Sequence, residues 1–341
     1  MNAASVLSLA PLGFQWETVD PFLFCVHHAD AYPRGNAEMG PAASLAGRHI
    51  GQDFDPSNGW RMYHGDTVPG FPAHPHRGFE TVTVVLKGFV DHSDSHGAAG
   101  RYGEGDVQWM TAGSGLQHAE MFPLLEQNAD NPLELFQIWL NLPKKSKFVG
   151  PHYKMLWSED IPVLSIPARE GPAVQLRLIA GSADGITAPA PAPDSWAADP
   201  ANGVAIWIIS LEPGTVWTLP AATGDVRRTL YFFEGAALSV DGTVVPPYHA
   251  AEVRADSSLQ LETGDTRVRI LLLQGRPIAE PIAQYGPFVM NTQGEIREAF
   301  LDYQRSQFGG WPWDRSDPVQ PRERGRFARY ADGTEEYPDK R

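Results

Sequence analysis

Short apolar runs rich in β-branched and aromatic residues, each broken off by glycine or proline, set the fold class of this chain. They cover residues 81–86, 107–110, 133–142, 204–210, 229–233 and 268–273. Glycine (33) and proline (30) are spread along all 341 residues and cut the sequence into strand-length pieces. Short strands with frequent turn signals indicate an all-β sandwich or barrel. The pieces occur in both halves, and the length suits two domains, each able to bury its own core. One echo supports a duplication: Thr-Val-Val-Leu-Lys-Gly at 83–88 resembles Leu-Tyr-Phe-Phe-Glu-Gly at 230–235, each a strand closed by a glycine turn.

The chemistry concentrates in the first half. In Gly70-Phe-Pro-Ala-His74-Pro-His76-Arg77-Gly78-Phe79-Glu80, two histidines at i and i+2 on an extended stretch face the same way. Pro75 keeps His74 away from helical angles, so the pair is preset as extended. Downstream, His118-Ala119-Glu120 repeats the arrangement with an imidazole and a carboxylate, after the strand and glycine turn of 105–113. Brought together inside a barrel, the two pairs would form a three-His, one-Glu site for a divalent transition metal, and Fe(II), Mn, Co, Ni, Cu or Zn all suit such donors. Glu80 has the same strand parity as His74 and His76 and competes with Glu120 for the fourth position; parity does not choose between them.

The echo locates the chemistry further. The His pair lies 14 and 12 residues before its closing glycine, and the matching positions in the second half are Ala221 and Thr223. Ten of the eleven histidines fall at or before His152, and only His249 lies beyond. The second barrel therefore reads as structural or regulatory. His64, His92, His96 and His152 lie in turn-rich sequence and read as exposed or supporting residues, and 91–95 reads as a solvated polar hairpin. The aromatic strand 136–141 reads as packing, with alternate members able to line a cavity, and 286–291 as a domain junction, with covering of a site as the alternative. Residues 182–200, rich in Ala, Pro and Asp, read as a surface loop. Thr292-Gln-Gly-Glu295 is a capping box. It opens a helix over about 292–308, with Ile296, Ala299, Phe300 and Tyr303 on its apolar face and Gly309-Gly310 as its stop.

The expected organisation is an N-terminal barrel over 1–150 with the metal site, a C-terminal barrel over 151–310 without ligands but carrying the helix, and a charged, poorly ordered tail over 311–341. That tail holds seven acidic and seven basic residues, so the net charge of −14 belongs to the folded body and argues against nucleic acid as a direct partner. No apolar run approaches the ~20 residues of a membrane helix, and there is no basic region at the N-terminus of the kind a signal peptide carries. Cys25 stands alone, which fits a reducing compartment. These features point to a soluble, cytoplasmic protein.

The stretches Gly70-Phe-Pro-Ala-His-Pro-His-Arg-Gly-Phe-Glu-Thr81, Gly105-Asp-Val-Gln-Trp-Met-Thr-Ala-Gly113, His118-Ala-Glu-Met121, Trp139-Leu-Asn-Leu142 and Gly286-Pro-Phe-Val-Met-Asn-Thr292, in that order, together resemble the pirin family of bicupins. The resemblance runs from roughly residue 20 to 308 and leaves the tail outside. It implies two cupin-type jelly-roll barrels with metal, most often iron, in the first only. It also implies His74, His76, His118 and Glu120 as ligands, with Glu80 reduced to a supporting carboxylate. Several members resemble quercetin 2,3-dioxygenases, which open the flavonol heterocycle with O2 and release carbon monoxide. For such an activity Glu120 is the expected base toward the flavonol hydroxyl. Other members act by binding protein partners, so a redox-sensing regulatory protein is the alternative expectation.

Overall fold

The computed structural model describes residues 4–222 and 224–339. The chain forms two compact units, and neither is one continuous stretch. The larger collects His27–Ile138, Leu142–Glu159 and the residues from Glu280 onward; the smaller collects the residues up to Val26, Trp139–Asn141 and Asp160–Ala279. Two segments thus lie elsewhere than a simple halving expects. The strand Val6–Pro11 pairs with His249–Val253, which ties the N-terminus to the smaller unit. The helix and the tail group with the larger one.

The larger unit is built from β1 (Phe22–Tyr32), β2 (Gly70–His76), β3 (Phe79–Lys87), β4 (Phe89–Asp94), β5 (Ala99–Gly103), β6 (Val107–Thr111), β7 (Leu116–Met121), β8 (Asn131–Asn141) and β9 (His152–Leu156). One antiparallel sheet has the order β9-β6-β3-β8-β1, and the other includes β5-β4-β7-β2. Tyr32, Tyr63, Val85, Tyr102 and Leu135 belong to its buried core. Strands β4 to β7 are almost wholly buried, so their sequences lack the apolar–polar alternation of a half-exposed sheet. Gly78 turns the chain from β2 into β3, and so from one sheet to the other, at φ 87°. A Cβ there would lie 2.0 Å from the Val289 carbonyl oxygen, so only glycine fits.

The smaller unit repeats the two-sheet jelly-roll plan. Its strands are β10 (Val174–Ala180), β11 (Ala205–Leu211), β12 (Val216–Leu219), β13 (Arg227–Glu234), β14 (Leu238–Val240), β15 (His249–Val253), β16 (Leu259–Thr263) and β17 (Val268–Gly275). They are ordered β15-β13-β17-β11-β10 in one sheet and β12-β16-β14 in the other. Leu176, Ile209, Phe232, Leu261 and Leu272 lie in a core of its own. The fold is all-β with two cupin-type barrels.

The one α-helix among the described residues, α1 (Gln293–Ser306), begins at the expected capping box: Thr292 Oγ1 accepts from Glu295 N–H, and the Glu295 carboxylate accepts from Thr292 N–H. Ile296 and Ala299 are buried against Ala283, Phe288, Met290 and Phe308. The helix stops before the two glycines, because Gln307 and Phe308 already turn to positive φ, 50° and 46°. No helix among the described residues is long and apolar enough to cross a membrane.

The tail is where the structure departs most from expectation. Rather than being poorly ordered, it adds strand β18 (Phe327–Arg329) to the edge of β5, in register Phe327↔Arg101 and Arg329↔Ala99. One buried side chain, Arg101, gathers much of its backbone. Arg101 makes a two-pronged ion pair with Asp91, with both contacts at 2.7 Å, and also donates to the carbonyls of Gln320, Pro321, Arg322 and Arg324. Gln320 N–H donates back to Asp91 at 2.7 Å. Side chains of the tail add to this anchoring: Trp313 Nε1 donates to the Asp94 carbonyl at 2.8 Å, and Arg326 pairs with Asp106 at 2.8 Å.

Candidate metal centre

Strands β2 and β7 are antiparallel neighbours, and their register places His74 opposite His118. Side chains two apart on a strand share a face, so His76 and Glu120 project on the same side. A register irregularity between Phe71 and His74 gives β2 the local bend at which the pair begins. The result is a compact cluster: ring centroids are 4.5 Å apart for His74 and His118, 4.8 Å for His74 and His76, and 4.9 Å for His76 and His118. One nitrogen from each ring lies within 4.8 Å of the others, a spacing that can hold a metal ion. His76 and His118 are buried and His74 half-buried, so the cluster is open on the His74 side.

The protonation states suit ligation. Burial pulls His74 down to about 4, and His76 and His118 lie well below the ordinary imidazole value because burial and the neighbouring imidazoles both penalise the cation. All three are neutral at pH 7, the form a metal requires. The Pro72 carbonyl accepts from His74 Nδ1 at 2.9 Å, which leaves the lone pair on Nε2. His118 is the more telling case. Both of its ring nitrogens are buried and neither has a hydrogen-bond partner among the described residues. A buried, unsatisfied imidazole is destabilising unless something else occupies its lone pair.

Glu120 stands beside this group of three. Its Oε2 is 3.6 Å from His118 Nε2 and accepts from Gln137 Nε2 at 2.6 Å, while Oε1 accepts from Thr83 Oγ1 at 3.3 Å. Burial raises its pKa, opposed by His92 and by these two hydrogen bonds. Glu80 lies on β3 rather than on the strands that carry the cluster. The Gly78 turn puts it on the opposite sheet, where it pairs with Thr111 on β6 and accepts from Thr111 Oγ1 at 2.7 Å.

His92, read from sequence as exposed or supporting, is buried beside the site. Residues 91–94 form a buried strand rather than a solvated hairpin, with His92 paired to Glu120 and Asp94 to His118. The His92 ring lies 5.5 Å from that of His118 and stacks on Tyr153 at 4.9 Å. Gln137 belongs to the aromatic strand read as packing. His64 is exposed and its Nδ1 bonds the Gly51 carbonyl at 2.6 Å. His96 and His152 line a separate cavity of about 360 Å³ near Tyr330.

Comparison with known proteins agrees with this architecture. A family profile described as Pirin matches residues 12–140, and one described as Pirin C-terminal cupin domain matches residues 206–309. A Pseudomonas aeruginosa protein, provisionally described as a quercetin 2,3-dioxygenase, is 38% identical over 240 residues, which is 70% of this chain and 79% of the relative. Pirin of Homo sapiens is 35% identical over 267 residues, covering 77% of this chain and 86% of its own. Among solved structures, a quercetin 2,3-dioxygenase from Acinetobacter baumannii superposes with a TM-score of 0.71 at 27% identity, over 90% of this chain and 98% of that one.

Proposed function

The chain belongs to the pirin family, and from that premise we propose that it is a metal-dependent dioxygenase opening the heterocycle of quercetin-type flavonols with O2 and releasing carbon monoxide. The observation that carries this reading is the buried trio His74, His76 and His118, with His118 lacking any hydrogen-bond partner among the described residues. These three imidazoles would hold the ion, with Glu120 as the fourth ligand. Fe(II) is the expected metal, although Mn, Co, Ni, Cu and Zn suit the same donors. Bound there, a divalent ion supplies Lewis acidity toward the 3-hydroxyl of a flavonol.

The remaining work falls to side chains. Glu120 is a buried carboxylate beside the imidazoles, placed to accept the flavonol hydroxyl proton. Gln137 and Thr83 hold both carboxylate oxygens in place, so the group is oriented before substrate arrives. His92, paired across the strand with Glu120, borders the same space. The half-buried His74 side offers the approach for substrate and O2.

The test is metal analysis of purified protein beside His76→Ala, followed by anaerobic titration with quercetin and then admission of air. Wild type should hold one ion per chain and give a red-shifted flavonol absorbance, then carbon monoxide; His76→Ala should lose the metal and both signals. Metal-loaded protein that neither binds quercetin nor yields carbon monoxide would sink the enzymatic reading. Partner lists that differ between ferrous and ferric pull-downs would then favour a redox-sensing, protein-binding role.

A further inference from the structure

The smaller unit has a cavity of its own, about 580 Å³, within the range of small-molecule sites. Part of its wall is the Ala- and Pro-rich segment between Gly181 and Pro200, and strands β11, β13 and β17 supply Trp207, Arg228 and Gln274. Ala221, which the echo between the two halves sets against His74, also lines it. Thr223, set against His76, lies outside the described residues.

Arg228 is the unusual component. Four arginines are buried among the described residues: Arg61, Arg77, Arg101 and Arg228. The first three are ion-paired with Asp30, Asp302 and Asp91. Arg228, 2% exposed, has no carboxylate within ion-pair distance among the described residues. Its Nε donates to Gln274 Oε1 at 2.7 Å and its Nη1 to the Pro220 carbonyl at 2.9 Å, both neutral acceptors. Gln274 is itself fixed, donating from Nε2 to the Gly203 carbonyl at 3.0 Å. The guanidinium is therefore held rigidly at the cavity wall, while Nη2 donates to no described group. Burial lowers its pKa only to about 10, so it carries its charge at neutral pH. An uncompensated buried charge is strongly destabilising unless an anion completes it.

We propose that this cavity binds a small organic oxyanion, a carboxylate or phosphate ester on an apolar body, with Arg228 as its anchor. The cation fits the oxyanion because a guanidinium presents paired N–H groups to two oxygens. The apolar body follows from size and lining: the cavity far exceeds what an inorganic ion fills, and Ala188, Pro189, Pro191 and Trp207 offer carbon surface. Where the first barrel gathers imidazoles to hold a metal cation, the second supplies a fixed cation from the chain itself. The inference is independent of the reading proposed for the histidine cluster.

Isothermal titration of the full chain with benzoate, phenyl phosphate and benzyl alcohol tests it. At least one anion should bind, the neutral alcohol at least tenfold more weakly, and the better anion identifies the head group. Arg228→Gln should weaken that anion tenfold or more. Ala221→Trp, at an exposed wall position, fills the cavity without removing the cation and should do the same, which protects the test if Arg228→Gln fails to fold by circular dichroism. Binding should persist in His118→Ala. The proposal is overturned if neither anion binds, if benzyl alcohol binds equally well, if every folded cavity variant binds like wild type, or if His118→Ala abolishes the signal.

Discussion

Glu120 and the three imidazoles can be separated by substitution because they meet different needs. His118→Ala removes a buried group with no hydrogen-bond partner among the described residues and should abolish metal retention, read by elemental analysis after gel filtration. Glu120→Gln keeps the volume and the contacts of a neutral acceptor but not the basicity. The imidazoles should still hold the ion while kcat falls on the order of 100-fold or more; a variant with undiminished turnover would remove Glu120 from the reaction. The same histidines give the metal-free protein a pH dependence of definite sign. Their folded pKa values are depressed, to about 4 for His74 against an ordinary 6.5. The unfolded chain therefore takes up protons first as pH falls. Stability is complete above about pH 6.5 and is lost on the way down to about pH 4, by at most about 3 kcal/mol for His74. Urea midpoints of chelator-treated protein at pH 7, 6 and 5 should fall in that order, and less steeply in a His74→Gln/His76→Gln double variant. The His74–His76 pair was legible because i, i+2 spacing on an extended stretch needs only strand geometry. His92 was legible only as exposed or supporting, because its position depends on which strand lies beside β7, and sequence adjacency to Ser and Asp resembles a hairpin. The parity of Glu80 could not decide for a related reason: the Gly78 turn changes sheets, and alternation does not survive a change of sheet.

At the scale of elements, helix α1 and the tail make opposite cases. The capping box and apolar spacing of the helix are local signals, so its start was readable to within a residue; its end was set two residues early by the left-handed Gln307 and Phe308. Thr292→Ala should cost about 1 kcal/mol through the lost cap, read as a lowered thermal midpoint. The tail has no such pattern, because what orders it are partners far off in sequence: a guanidinium more than two hundred residues earlier collecting its carbonyls, and its own Trp313 and Arg326 reaching Asp94 and Asp106. Deleting the residues after Gly310 would strip β5 of its edge strand and leave Arg101 with only Asp91 among these partners. The thermal midpoint should drop markedly. Asp91→Asn in the full chain should destabilise by about 3–5 kcal/mol, because it leaves Arg101 buried and uncompensated. An unchanged midpoint on truncation would show that the tail contributes no stability.

For the whole molecule, two barrels of one plan gather different side chains, imidazoles in the larger unit and a buried guanidinium in the smaller. The imidazoles that meet lie in the larger unit. The one histidine of the smaller unit's strands, His249, is spent on the Pro247 carbonyl at 2.9 Å. Each unit buries its own core, so a ligand's stabilisation should register where the ligand binds. Saturating an ion at one hundred times its Kd is worth about 2.7 kcal/mol to the state that binds it. Hydrogen exchange followed peptide by peptide can locate that gain. Reloading chelator-treated protein with Fe(II) under nitrogen should slow exchange across residues 70–121 and leave 205–275 close to unchanged. A bound oxyanion at Arg228 should produce the reverse pattern. If metal protected both stretches equally, the barrels would act as one cooperative body, and the ligand-free second barrel would have to be understood as part of the metal site's energetics rather than as a site in its own right.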